Sequence, residues 1–173
     1  LNDTQLNLKQ ELTLKKYIKN KISKSDLILI SDYGHGFISE NTAKFILSNK
    51  KFISLNAQIN ASNRGYNSLR KYKKIDTLII NENELRHETR DVKINVEELS
   101  KKLMKNFSFK RVVITRGKSG AILIKKNQRP IYCPAFAKKV VDKVGAGDAM
   151  LAVLSLCIKM KLPDDLSLLI GSM

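Results

Sequence analysis

The chain has 173 residues, 43% hydrophobic and 28% charged, and 32 Lys and Arg against 16 Asp and Glu give a formal net charge of +16. This length and composition suit one globular domain with a real core and exclude a disordered tail. No apolar run approaches the ~20 residues of a membrane-spanning helix, and Leu1-Asn2-Asp3-Thr4 lacks the basic-then-apolar start of a secretory signal.

The basic balance by itself admits a nucleic-acid-binding module. However, 25 of the 32 basic residues are Lys, scattered in pairs such as Lys15-Lys16, Lys50-Lys51, Lys73-Lys74 and Lys101-Lys102. That distribution reads as a solvated surface and a compositional bias, so no nucleic-acid partner and no membrane partner is expected. Cys133 and Cys157 have neither metal-ligand nor CxxC spacing. They read as buried thiols of a reducing, cytoplasmic compartment.

In chain order, Leu6, Leu8, Leu12, Leu14, Ile18 and Ile22 form an apolar stripe that predicts a helix over 5–22. Residues 26–31 are a short, almost wholly apolar run that suits a strand buried on both faces. A helix follows over 39–49 with Ser39 or Asn41 as cap, then a strand over 51–55, a polar loop over 56–63 and a helix around 64–72. The strand 76–80, a short helix from Asn83, a helix over 95–106 and the strand 111–115 come next. A turn over 117–120 leads into the strand 121–124, with a further strand near 131–133. An apolar helix over 145–160 follows a Gly-rich turn, and Pro163-Asp164 opens one more. Strands alternating with helices predict an α/β fold in three layers, α/β/α, around a mostly parallel sheet.

In such sheets ligands bind outside the carboxyl ends of the strands. The informative polar clusters all follow strands: 32–36, 56–63, 81–84, 115–117 and 142–148. They are therefore expected to open onto one edge. In Asp142-Lys143-Val144-Gly145-Ala146-Gly147-Asp148, the Gly145, Ala146 and Gly147 residues leave backbone N–H groups free at a helix N-terminus. The dipole is positive there, which makes an anion site suited to a phosphoryl group in transfer. Asp148, in the first turn, is placed to take a proton from an attacking hydroxyl. Asn81-Glu82-Asn83-Glu84 follows a strand and by its spacing writes a helix start, with Asn81 as cap and Glu84 reaching back. Thr115-Arg116-Gly117-Lys118-Ser119-Gly120 is a turn between two strands that also lets Thr115 and Gly117 approach phosphate oxygens.

Asp142-x-x-Gly145-Ala146-Gly147-Asp148 resembles the signature of the ribokinase-like (PfkB) carbohydrate kinases. The resemblance implies Asp148 as catalytic base, Gly145, Ala146 and Gly147 as anion hole, and Asp142 beside the nucleotide. Asn81 and Glu84 match the family's Asn-x-x-Glu element and imply the Mg2+ site. Thr115, Arg116, Gly117 and Gly120 match its strand-end Thr-x-Gly-x-x-Gly and imply contact with ATP. Ser31-Asp32-Tyr33-Gly34-His35-Gly36 is similar to the Asp-Tyr-x-Lys-Gly stretch of heptose-phosphate kinases, often the kinase half of bifunctional kinase–nucleotidyltransferases. It implies Asp32 and His35 at the substrate, with His35 where Lys is usual. Asn56, where most members carry Asp, opens a stretch through Asn67 similar to a subgroup of these proteins and is assigned to the substrate as well. Lys143 stands where a small residue is usual.

The implied function is ATP-dependent phosphorylation of a sugar or sugar phosphate. A homodimer is implied for a complete protein, through a lid that precedes this segment. Leu1 is not a Met and the chain stops within Leu168-Leu169-Ile170-Gly171-Ser172-Met173, so residues 1–173 are expected to be the C-terminal catalytic portion of a kinase domain nearly twice as long. Two alternatives stand below it: a nucleotide- or sugar-phosphate-binding relative without catalysis, kept by the Asn56 and His35 departures, and, behind that, a basic nucleic-acid-binding module, kept by the charge alone.

Overall fold

The computed structural model describes residues 6–58, 69–136 and 145–173. Six strands form one sheet in the order β1 (Leu27–Asp32), β2 (Phe52–Ala57), β3 (Lys74–Asn81), β4 (Ser108–Thr115), β5 (Ala121–Lys125) and β6 (Ile131–Cys133). β1 to β4 run parallel, and β5 and β6 add antiparallel strands. The helices are α1 (Leu8–Ser23), α2 (Glu40–Leu47), α3 (Glu82–Thr89), α4 (Val96–Asn106), α5 (Ala146–Lys159) and α6 (Asp164–Ser172).

The sheet advances in one direction from β1 to β4, and crossovers between parallel strands are right-handed. Successive crossover helices must then fall on one face. α2, α3 and α4 do so, packing a core with Ile30, Leu55, Leu78, Ile80, Val112 and Ile114. α5 lies against β1, β2 and β3 on the opposite face and α6 against β5 and β6, around Ile79, Val113, Leu123, Leu151, Leu154 and Leu168. The alternation of Leu78, Ile79 and Ile80 between two cores explains why β3 is apolar throughout. Each such side chain stabilises the fold by roughly 1.5–3 kcal/mol. The expected three-layer α/β/α architecture is what is found.

Elements fall where their caps place them. Asn7, Ser39, Asn81 and Asn95 each accept the N3 backbone N–H of the helix they precede, for α1 to α4. α1 departs from expectation. Its stripe is buried only toward its C-terminal end: Leu8 and Leu12 are 79% and 67% exposed, while Ile18 packs on the core, Ile22 is buried, and Glu11 is buried in place of the first apolar turns. The reason is polar docking, since Glu11 Oε1 accepts from Ser39 Oγ at 2.7 Å and from Thr42 Oγ1 at 3.1 Å at the start of α2. Strand β4 begins at Ser108, earlier than its apolar run, because Lys110 pairs with Asp76 and Arg111 with Asp164. Of the helix expected at 64–72, a 3-10 turn Leu69–Lys71 is seen, and its earlier part lies outside the described residues, as do Asp142 and Lys143. Cys133 is buried, Cys157 is half-buried, and both are free thiols. Among the described residues, no helix is long and apolar enough to cross a membrane.

Candidate active site

The carboxyl ends of β1 to β4 carry Ser31 and Asp32, Asn56, Asn81 and Thr115. Register ties them laterally: Ser31 stands opposite Asn56, and Asn81 opposite Thr115. The described parts of the expected edge therefore lie together, and the N-terminus of α5 meets them; 59–63 and 142–144 lie outside the described residues.

At that terminus Gly145 is the N-cap, in the left-handed region at φ 82°, with no side chain capping the helix. Gly turns the chain in without the cost a Cβ would bring. The first turn closes from Ala149 N to Gly145 O at 2.8 Å. The N–H groups of Ala146, Gly147 and Asp148 precede that bond and point out of the helix. Four other helices spend a side chain on such donors; α5 does not. Gly147 is needed for a second reason, since a Cβ there would lie 2.7 Å from Asn56 Nδ2.

Asp148 sits at N3 beside these amides, half-buried. Ser31 Oγ donates to its Oδ1 at 2.7 Å and Tyr33 Oη to its Oδ2 at 2.9 Å. Both carboxylate oxygens are thereby fixed at the sheet edge, 115 and 117 residues away in sequence.

Asp32 faces the other way. Side chains of an extended segment alternate between faces, so Ser31 and Tyr33 go to α5 while Asp32 goes to the α2–α4 side. There it is buried: Lys71 Nζ lies 2.7 Å from Oδ2, Tyr72 Oη donates to Oδ2 at 2.7 Å, and Gly34 N donates to Oδ1 at 3.0 Å. Burial, then the charge and hydrogen bond of Asp32, push the Tyr72 phenol far above its ordinary range, so it stays a donor. Lys71 Nζ also donates to Ile38 O at 2.8 Å, which pins the loop after β1. Asp32, expected at the substrate, is held by these three partners at the start of the loop after β1. His35 is half-buried in that loop between Gly34 and Gly36, both at positive φ.

Asn81 Oδ1 accepts from Glu84 N at 2.8 Å, and Glu84 Oε2 accepts from Asn81 N at 2.9 Å. The pair forms the reciprocal cap. Among the described residues, no three of His, Cys, Asp and Glu gather to enclose a metal. Mg2+ commonly takes one or two carboxylates and completes its shell with phosphate and water. Glu84, 9% exposed at the strand edge, fits that donor role and does not fit an all-protein cage.

Glu82 lies between two guanidiniums, accepting from Arg86 Nη2 at 2.7 Å and from Arg116 Nε at 2.9 Å. Burial works against its charge, yet Arg116 and Arg86 hold the carboxyl below its ordinary value. Arg116 is thereby fixed at the strand-end turn, which closes from its N to Gly120 O at 2.8 Å. Gly120 is structural: a Cβ there would stand 2.0 Å from Cys133 O. Gly117, at φ 54°, has open space around it, and Thr115 is half-buried beside it.

Sequence reasoning assigned no role to Ser31, Tyr33, Lys71, Tyr72 or Glu82. The signal for the first two was the two-residue period of β1, which puts them together on the face opposite Asp32.

A three-layer α/β/α sheet with an uncapped Gly-Ala-Gly-Asp helix start at its carboxyl edge defines the ribokinase-like class of proteins. Residues 3–172 match the family model for pfkB family carbohydrate kinases, and the chain belongs to that family. The bifunctional protein HldE of Marinomonas sp. is 30% identical over 152 residues, which is 86% of this chain and 30% of that protein. A ribokinase of Thermotoga maritima superposes with a TM-score of 0.71 at 22% identity, over 91% of this chain and 52% of that one. An Arabidopsis thaliana ribokinase complexed with ribose and ATP gives 0.61 at 20% identity, over 95% and 50%. The chain thus spans about half of these solved relatives and less than a third of that curated one.

Proposed function

We propose that this chain is the catalytic portion of a kinase domain that transfers the γ-phosphoryl of ATP to a hydroxyl of a sugar or sugar phosphate, of the heptose-phosphate type. The observation that carries the reading is Asp148, oriented at both oxygens by Ser31 and Tyr33 and set beside three amides that no side chain caps. Family membership supports the reaction class, and the likeness of the Ser31–Gly36 segment to heptose-phosphate kinases supports the acceptor.

Asp148 accepts the proton of the acceptor hydroxyl as that oxygen attacks phosphorus. The N–H groups of Ala146, Gly147 and Asp148 face the charge that develops on the transferred group, strengthened by the helix dipole. Arg116, held by Glu82, adds positive charge along the polyphosphate, and Gly117 lets the backbone approach it. Glu84 and Asn81 would hold Mg2+ through its water shell. When bound, the ion offsets phosphate charge.

The test is Asp148→Asn in the complete protein, followed by labelled ATP with sugar-phosphate acceptors. Turnover falls by roughly 100-fold or more while ATP binding is kept. Turnover within about tenfold of the unsubstituted protein would show that Asp148 is not the base.

A further inference from the structure

We infer that Asn56 is a further catalytic residue, a side-chain amide that completes the anion hole by donating to the phosphoryl group at the start of α5. The inference rests on the phosphotransfer reading above. Asn56 is the penultimate residue of β2, on the face toward α5, opposite Ser31 on β1 and Ile79 on β3 in register. Ser31 bonds Asp148, and Ile79 belongs to the core under α5. The Asn56 side chain is 96% buried, at 4% exposure, and its Nδ2 approaches to 2.7 Å of the position a Gly147 Cβ would take.

Among the described residues, no hydrogen bond reaches the Asn56 carboxamide. The carboxamide of this buried residue is thus left for a ligand or water. Its Nδ2 stands beside Gly147 in the first turn of α5, where the N–H groups of Ala146, Gly147 and Asp148 are free of helical bonds, so one anion at that turn is the ligand that both kinds of donor would share. An anion satisfies all of these donors together.

The chemistry at this place separates Asn from Asp. A carboxylate only accepts, so it needs a cation between itself and a phosphoryl group. The carboxamide donates directly and carries no charge to repel the phosphate. Asn56 therefore suits direct contact with the phosphoryl group.

Asn56→Asp and Asn56→Ala in the complete protein test this, with binding of AMP-PNP, ADP and inorganic phosphate measured by calorimetry. Both variants are expected to bind AMP-PNP at least tenfold more weakly, with ADP changed less than twofold and the melting temperature retained. Inorganic phosphate should be lost from Asn56→Asp. Removing one donor of such a hole commonly costs about 100-fold or more in turnover, and a similar fall is expected. Unchanged AMP-PNP affinity in Asn56→Ala, or binding by Asn56→Asp at or above the original level, overturns the proposal. If the unsubstituted protein binds no nucleotide but binds phosphate in an Asn56-dependent way, the anion hole stands and the kinase reading falls.

Discussion

Lys71→Met probes the lock beneath the site. The Lys71 and Asp32 side chains are 8% and 7% exposed, with Nζ 2.7 Å from Oδ2. At an effective dielectric of 20 that separation corresponds to about 6 kcal/mol of attraction, most of it offset by the desolvation of both ions. Met keeps the aliphatic stem but removes the cation and the bond to Ile38 O. Asp32 is then a buried charge whose partners among the described residues are the Tyr72 hydroxyl and the Gly34 N–H. Orphaning a buried ion in this way commonly costs about 3–5 kcal/mol. Adding Asp32→Asn removes the stranded charge, and the double variant should regain about half of that loss or more. Urea unfolding of the complete protein at neutral pH, followed by circular dichroism for all four members of the cycle, measures this. A single-variant cost below about 1 kcal/mol, the range of exposed pairs, would refute the lock. So would strictly additive losses in the double variant.

Ser31→Ala removes the 2.7 Å bond to Asp148. It should lower kcat about fivefold to tenfold with KM for ATP unchanged, consistent with ~1–1.4 kcal/mol for one bond at an exposed site. Ser31→Thr should restore the rate; an unaltered kcat in Ser31→Ala contradicts the assignment. Gly147→Ala gains about 1 kcal/mol of helix propensity but forces a methyl against Asn56 Nδ2, a clash of about 1–3 kcal/mol. A lower melting temperature is expected, and a higher one would show that Asn56 yields. Asp164 opposes burial through ion pairs with Lys125 at 2.6 Å and Arg111 at 2.8 Å, which hold its carboxyl below the ordinary range. A carboxyl depressed in the folded state gives stability that is complete above its unfolded pKa and is lost as pH falls through the folded one. Melting temperature should therefore drop below about pH 4, and less steeply in Asp164→Asn, since the unfolded pKa is near 3.9. Equal slopes in the two proteins would remove Asp164 from the account.

The sheet was legible because its strands are buried on both faces, so Leu78-Ile79-Ile80 and Val112-Val113-Ile114 read as unbroken apolar runs. The Gly-Ala-Gly-Asp start was legible because glycine at a helix N-terminus carries its own physical meaning. What escaped depends on contacts distant in sequence. That Lys71 and Tyr72 hold Asp32 cannot be read from its own segment, since they lie about 40 residues on. The α1 stripe looks like a core face until Glu11 is found docked on Ser39 and Thr42. Asn81 and Glu84 satisfy a helix cap by geometry whatever else they hold, and spacing alone does not separate the two uses.

Ser31, Asp32 and Tyr33 serve two opposite faces within three consecutive residues, so the end of β1 has no tolerance for a change of length by one. Losing or gaining a single residue before Ser31 would exchange the faces. Asp32 would then confront Asp148 carboxylate to carboxylate, and two neutral hydroxyls would be left against the Lys71 cation. Both halves of the arrangement fail together, and a second change of one residue would restore both. Lineages of this chain should therefore vary the length leading into β1 in steps of two, or not at all.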